Sequence, residues 1–109
     1  MKVFIDECVN YNLMPHLRES SEHNFQHALD TRFAGLPDNV LLPLVDPLYE
    51  VFLTRDRNLR YQQNLSKFSL ALIILKSSNI LEDLLTMLPD VRDALTVIRP
   101  QEVREIIPK

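Results

Sequence analysis

The chain has 109 residues, of which 46% are hydrophobic and 25% are charged, and this is the composition of one ordinary globular domain. Its formal net charge of −3 argues against broad non-specific binding to nucleic acid, because such binding usually needs a basic domain. Cys8 is the only cysteine, so an internal disulfide is excluded and a reducing compartment is expected. No signal-peptide pattern opens the chain and no apolar run is long enough to cross a membrane, so we expect a single domain over residues 1–109 in the cytoplasm.

Apolar runs and turn residues divide the chain into alternating strands and helices. The predicted strands are Met1–Ile5, Asn24–Leu29, Glu50–Thr54, Phe68–Leu75 and Thr96–Arg99. The predicted helical segments run from Leu13 to an end near residues 19–21, from Asp38 to Pro47, and over Leu59–Leu65, Ile80–Leu88, Val91–Leu95 and Pro100–Arg104. This order predicts an α/β fold with a mostly parallel sheet of four to five strands, covered by helices.

Single residues indicate where several of these elements begin and end. Gly35, the only glycine, is expected in a loop with a backbone conformation that other residues avoid. Asp38 is predicted to cap the start of the second helix, and Pro47 is predicted to end it. Asn79 is predicted to cap the helix after the fourth strand, with Glu82 completing a capping box.

Three aspartates are the strongest candidates for a catalytic or metal-binding site. Asp6 and Asp56 follow apolar strands, and Asp38 begins a helix that should face the same side of a parallel sheet. Ligands gather at the carboxyl ends of such strands, and Mg²⁺ is usually held by one or two carboxylates together with waters and substrate phosphates. Aspartates are also common as caps and at strand ends, so the spacing alone leaves a purely structural role for Asp6 and Asp38 equally open.

Three arginines surround the third of these aspartates. Arg55 and Arg57 flank Asp56, and Arg60 follows three residues later. A guanidinium group matches the geometry of a phosphate, so the sequence predicts that Arg55, Arg57 and Arg60 hold the phosphates of a nucleic acid.

The segments that carry these residues resemble the PIN-like domains, a superfamily that includes the VapC-type ribonuclease toxins. The matching stretches are Val3–Glu7, Asp30–Asp38 and Phe52–Leu59, and the nearest resemblance is to short, stand-alone bacterial members that are often encoded beside a small antitoxin-like partner. The resemblance implies a Rossmann-like three-layer sandwich, a carboxylate cluster that binds Mg²⁺ or Mn²⁺, and hydrolysis of RNA phosphodiester bonds.

The resemblance also assigns positions to the site residues. It implies that Asp6 is the first acid of the site, Asp38 the central acid and Asp56 the acid after the third strand. The family often has a further acid where this chain has Asn58, which offers an oxygen ligand without a charge. We therefore expect a weakly bound metal ion that depends on substrate for full coordination.

Two other functions compete with a toxin ribonuclease. One is a degenerate PIN-like module that has lost catalysis and keeps a protein partner. The other is a phosphoacceptor receiver domain, in which Asp6, Glu7 and Asp56 would form the acidic pocket and Lys76 would supply the cation. A single glycine cannot build a phosphate-binding loop, so nucleotide triphosphatases and dinucleotide-binding enzymes are excluded. A homodimer is also expected, because two-fold dimers are common among soluble proteins.

Overall fold

The computed structural model describes residues 1–19 and 22–109. Within these residues the strands are β1 (Lys2–Ile5), β2 (Asn24–His27), β3 (Val51–Thr54), β4 (Ala71–Leu75) and β5 (Val103–Ile106). The α-helices are α1 (Met14–Arg18), α2 (Asp38–Val45), α3 (Leu59–Gln62), α4 (Leu81–Leu85) and α5 (Leu88–Val97). Short 3₁₀ helices cover Tyr11–Leu13, Ala28–Asp30 and Leu65–Lys67.

The five strands form one sheet in the order β2-β1-β3-β4-β5, and every neighbouring pair is parallel. The chain moves from β1 to one side to form β2 and then crosses to the other side to form β3. The point where the strand order reverses therefore lies between β1 and β3, and this is where open parallel sheets bind their ligands. In the register of this pair, Ile5 lies opposite Leu53, so the residues after both strands emerge side by side.

Both faces of the sheet are covered, which gives three layers. On one face, strand residues such as Ile5, Leu53 and Ile73 pack with α1, α4 and α5. On the other face, Phe4 and Phe52 pack with α2 and α3, and their rings stack with centroids 5.5 Å apart. Strand side chains alternate between faces and helices cover both faces at the centre of the sheet, so β1, β3 and β4 are nearly continuous buried runs. The predicted α/β three-layer architecture is confirmed.

The C-terminal elements differ from the sequence prediction. Thr96 and Val97 belong to α5, and the last strand is Val103–Ile106, where a terminal helical turn was expected. β-Branched residues at 96–98 are typical of a strand, but here Thr96 and Val97 continue a helix whose buried face includes Val91 and Leu95, and Ile98 follows as its C-terminal cap. The sequence did not predict β5 because this strand lies at the edge of the sheet and only one of its residues, Ile106, is buried.

The end of α1 and both ends of α2 also refine the predictions. Helix α1 ends at Arg18, with Glu19 as its cap, and the part of the prediction that concerns residues 20 and 21 lies outside the described residues. Pro37 is the N-terminal cap of α2, so Asp38 is the first helical residue and not the cap. The backbone carbonyl of Pro37 accepts hydrogen bonds from the N–H groups of Val40 and Leu41, which leaves the Asp38 carboxylate outside the capping arrangement. The helix ends at Val45, before Pro47 as predicted.

The cap of helix α4 is also different from the prediction. The side-chain carbonyl of Asn79 accepts a hydrogen bond from the N–H of Asn10, 2.8 Å away, and does not cap the helix. The hydroxyl of Ser78 accepts the hydrogen bond of the Ile80 N–H and donates to the Asp83 carboxylate. Among the helices of the described residues, none is long and apolar enough to cross a membrane.

Candidate functional site

Asp6 lies at the end of β1 and is held on several sides. Only 9% of the residue is exposed, and its carboxylate oxygens accept hydrogen bonds from the backbone N–H of Glu7 (2.8 Å) and from the hydroxyl of Thr54 (2.7 Å). The thiol of Cys8 donates a third bond at 3.4 Å. A buried carboxylate is stable only when such donors replace the water that it has lost.

Thr54 connects the ends of the two central strands. It is completely buried, and its hydroxyl donates to Asp6 and accepts the hydrogen bond of the Asp56 N–H at 3.0 Å. The carboxylate of Asp56 in turn accepts the N–H of Asn58 at 3.0 Å. Thr54 was predicted only as a strand residue. A hydroxyl group at the end of an apolar run does, however, indicate that the side chain has a polar partner.

Asp38 is half-buried at the first position of α2. Burial, the charge of Asp6 and the charge of Asp56 together raise its pKa above the ordinary value of 3.8. Both other aspartates thus lie within electrostatic reach of Asp38, and the structure brings the three predicted acids to one edge of the sheet. In the described part of the chain no side-chain hydrogen bond holds the Asp38 carboxylate in place.

The carboxylates have the right chemistry for a hard divalent cation. Oxygen ligands suit Mg²⁺ and Mn²⁺, and a cation would relieve the repulsion that raises the pKa of Asp38. Among residues 1–19 and 22–109, however, no three Asp, Glu, His or Cys side chains converge closely enough to hold one ion together. The arrangement therefore fits an ion held by one or two carboxylates with waters and substrate phosphates, and it does not form a closed protein cage.

Cys8 does not add a soft ligand to this set. Burial raises the pKa of its thiol and the charge of Asp6 raises it further, so the sulfur stays protonated near neutral pH. The thiol instead donates to Asp6, and its sulfur accepts the N–H of Arg55 at 3.5 Å.

The three arginines near Asp56 lie in different environments. The guanidinium group of Arg55 donates to the backbone carbonyl of Cys8 (3.1 Å) and to that of Ser77 (3.2 and 3.3 Å). Arg60 pairs with Glu105. Arg57 is exposed and has no hydrogen bond or ion pair with any residue in the described part of the chain, so its guanidinium is the one with all its donors available.

Asn58 is also exposed, two residues after Asp56. It precedes α3, and its side chain does not cap that helix. Lys76, the cation that a receiver domain would direct toward its acidic pocket, forms an ion pair with Glu105 at 2.9 Å. That pairing weakens the receiver-like alternative.

A pocket of about 390 Å³ lies beside Asp6. Glu7 lines it, and its carboxylate accepts the N–H of Gly35 at 2.7 Å. Gly35 has a φ of +81°, a left-handed conformation that favours glycine, as the sequence predicted. Glu7 was considered only as part of the acidic pocket of a receiver domain, and nothing in the sequence indicated that it reaches a loop 28 residues away.

Comparison with known protein families gives one match. A family model described as a PIN-like domain matches residues 1–75, which is more than half of the 109 residues and includes Asp6, Asp38 and Asp56. No curated protein matches the chain, and no solved structure matches it.

Proposed function

Because the chain belongs to the PIN-like domain family, we propose that it is a metal-dependent ribonuclease that hydrolyses RNA phosphodiester bonds. A nuclease-type activity is what family membership supports, and the choice of RNA as the substrate is our proposal. The observation that carries it is the position of Asp6 and Asp56 after the neighbouring parallel strands β1 and β3. Asp38 lies close enough to both that their charges, after burial, raise its pKa. A metal-dependent nuclease uses carboxylates to bind the cations that offset the charge of a phosphodiester.

Each residue has a distinct part in this proposal. Asp6, Asp56 and Asp38 are the catalytic acids and, with the neutral Asn58, the candidate metal ligands, of which one or two would hold an ion together with waters and substrate phosphates. A bound Mg²⁺ or Mn²⁺ would polarise a phosphoryl oxygen and activate water. Asp6 would contribute an oxygen fixed in position by Thr54, so that little reorganisation is needed during the reaction.

The arginines would bind the RNA backbone to different degrees. Arg57 has its guanidinium free for a phosphate, and Arg60 would first have to exchange its bond with Glu105. Arg55 contacts two backbone carbonyls, so we propose that it mainly holds the loop after β3 and reaches a phosphate only with its remaining donors.

We propose further that the protein acts in the cytoplasm as the toxin of a toxin–antitoxin pair and forms a homodimer. An acidic site flanked by arginines suits a small antitoxin-like protein that inserts a segment of mixed charge. Co-purification from the native cell tests the partner, and light scattering tests the dimer. A strictly monomeric protein that brings down no neighbour would contradict both.

A catalytically degenerate PIN-like binding module is the second candidate. Two observations favour it. Asn58 supplies no charge where the family often has an acid, and within residues 1–19 and 22–109 no three Asp, Glu, His or Cys side chains converge closely enough to hold one ion. Such a module would keep the protein partner and cleave no RNA.

The deciding experiment is RNA cleavage in Mn²⁺ with the wild type, Asp6→Asn and Asp93→Asn. Asp93 is an exposed residue of α5, so its variant controls for the loss of one negative charge. We expect cleavage by the wild type and the control, and none by Asp6→Asn. Equal cleavage by all three would indicate a contaminating nuclease, and a folded wild type that never cleaves would favour the degenerate module.

A further inference from the structure

The pocket beside Asp6 adjoins the group of three aspartates but does not coincide with it. Asp6 belongs to the group and also lines the pocket, whereas Asp38 and Asp56 do not line the pocket. Its walls are part polar and part apolar, and the apolar part includes Phe33, Leu36 and Leu41. A volume of about 390 Å³ lies within the range of about 300–1,000 Å³ that is typical of small-ligand sites, so the pocket has room for a flat, mostly apolar ring system next to the proposed catalytic acids.

Glu7 is an exposed residue that provides a polar group at the pocket wall. One of its carboxylate oxygens accepts the N–H of Gly35 at 2.7 Å, and this bond ties the end of β1 to the loop before α2. The other oxygen has no partner among the residues that the structure describes. A carboxylate has about four lone-pair sites and donates nothing when ionised, so Glu7 still presents a pair of acceptors to a ligand.

A nucleobase combines an apolar face with an edge of hydrogen-bonding groups. Guanine presents two adjacent donors, N1–H and the N2 amino group, which match the two oxygens of a carboxylate. Adenine and cytosine place a ring acceptor beside their amino group, and uracil places a carbonyl on each side of its N–H, so each of these bases would set an acceptor against Glu7.

We propose that this pocket is a binding subsite for a guanine base of the RNA substrate and that Glu7 is its specificity-determining residue. The proposal rests on the proposed ribonuclease function, and it adds a base preference next to the site of cleavage. Because Asp6 lines both sites, a base held in the pocket would lie next to the phosphate that the acids bind.

Uncharged nucleosides test the subsite without metal and without cleavage. Saturation-transfer difference NMR in chelator would compare guanosine with inosine, which lacks the N2 amino group, and with adenosine, cytidine and uridine. We expect the strongest signal from guanosine and a weaker one from inosine. One good bidentate contact discriminates against the wrong base by about five- to a hundredfold, so the other three nucleosides should bind at least about fivefold more weakly.

The matched variants are Glu7→Gln and Glu19→Gln. A glutamine at position 7 still accepts the Gly35 N–H through its carbonyl oxygen, so the loop should keep its place, and an unchanged Gly35 amide resonance would show this. Its amide group replaces the second acceptor with a donor, so the preference for guanosine should disappear. Glu19 follows α1, which returns the chain from the end of β1 to the start of β2, so it lies at the opposite edge of the sheet and its variant should bind as the wild type does.

Three results would overturn the inference: no binding of guanosine, equal binding of all five nucleosides, or a guanosine preference that survives in Glu7→Gln. Cleavage assays separate it from the proposed function. Manganese-dependent cleavage of RNA without preference for guanine would refute the subsite and leave the ribonuclease intact. Selective guanosine binding by a protein that cleaves no RNA would refute the ribonuclease and leave the pocket as a binding site.

Discussion

Asp6 ends strand β1 and Asp38 begins helix α2, and the protein holds these two carboxylates in opposite ways. Asp6 is buried and accepts hydrogen bonds from Glu7, Thr54 and Cys8. Asp38 is half-buried and has no side-chain hydrogen bond in the described part of the chain. The hydrogen bonds of Asp6 show that its carboxylate is fixed, whereas burial and the charges of Asp6 and Asp56 raise the pKa of Asp38.

This difference indicates a division of work within the site. A carboxylate that is surrounded by donors contributes to the stability of the fold and keeps its position whatever is bound. A carboxylate that is only repelled gains a favourable partner when a cation or a proton arrives, so its free energy depends on the ligand. The site at the carboxyl ends of β1 and β3 thus combines a carboxylate that is rigidly held, Asp6, with one whose free energy depends on the ligand, Asp38.

The largest effect should come from removing the fixed carboxylate. Asp6→Ala leaves the Thr54 hydroxyl and the Glu7 N–H without their acceptor, and losing buried hydrogen bonds to a charged group costs about 2–4 kcal/mol. Urea unfolding at neutral pH in chelator would measure the loss, with Asp93→Ala as the control for an exposed aspartate. A loss below about 0.5 kcal/mol would show that Asp6 is no better anchored than a surface residue.

The same contrast extends to the arginines on either side of Asp56. Arg55→Ala removes a guanidinium that bonds to the carbonyls of Cys8 and Ser77, and we expect it to lower the free energy of unfolding by about 1–3 kcal/mol. Arg57→Ala removes an exposed side chain and should change stability by less than about 0.5 kcal/mol.

RNA binding should show the reverse order for the two arginines. Arg57→Ala should weaken binding of a generic single strand and reduce the salt dependence by about 0.7 in slope for one lost phosphate contact. Urea melts and fluorescence anisotropy over a salt series measure the two properties. If Arg57→Ala is the destabilising variant and Arg55→Ala the one with the altered salt slope, our assignment of the two residues is inverted.

The central part of the fold could be predicted from the sequence because its signals are local and redundant. The runs Val51–Thr54 and Ala71–Leu75 are apolar on both faces, as the strands of a covered parallel sheet must be. Alternation with helices then predicted a mostly parallel sheet. Asp6 and Asp56 each follow an apolar strand and were expected at the ends of neighbouring strands, which the pairing of β1 with β3 confirms.

The features that the sequence did not predict depend on partners far along the chain. Strand β5 alternates weakly because it lies at an edge of the sheet, so its pairing with β4 and not its own pattern makes it a strand. Asn79 suits a helix cap but binds Asn10. The bond from Gly35 to Glu7 joins residues whose proximity only the folded sheet creates, and no local rule reports such a contact.

Asn58→Asp should strengthen the binding of a metal ion near Asp56. Asn58 is exposed two residues beyond Asp56, and an added negative charge raises the affinity of a carboxylate site for a hard cation. Calorimetry with Mn²⁺ should give a lower Kd, and cleavage of a generic RNA should become faster. Asn24→Asp, which adds a charge at an exposed position at the start of β2, controls for the overall charge. A variant that binds no tighter than the wild type would show that residue 58 does not contact the metal.

The smallest effect on the free energy of unfolding is expected for Asp38→Asn. The pH dependence of this effect would identify ionisation of the Asp38 carboxylate as its cause. A raised pKa means that the folded state disfavours the ionised carboxylate, so the wild type loses stability as the pH rises from the ordinary value of 3.8 through the folded pKa. Asp38→Asn should match the wild type near about pH 3 and exceed it at neutral pH by a few tenths of a kcal/mol, because solvent screens a half-exposed group. The raised pKa also indicates that repulsion from Asp6 and Asp56, with burial, outweighs the favourable effect of a carboxylate at a helix N-terminus.

Urea unfolding of both proteins across this pH range in chelator measures the difference. Mn²⁺ then provides a second comparison, because a cation bound near Asp38 would convert the repulsive carboxylate into a ligand. Added Mn²⁺ should stabilise the wild type more than Asp38→Asn and so reduce or reverse the advantage that the variant has without metal. An advantage of Asp38→Asn that is the same at every pH would mean that its origin is not ionisation, and equal stabilisation of both proteins by Mn²⁺ would place the ion away from Asp38.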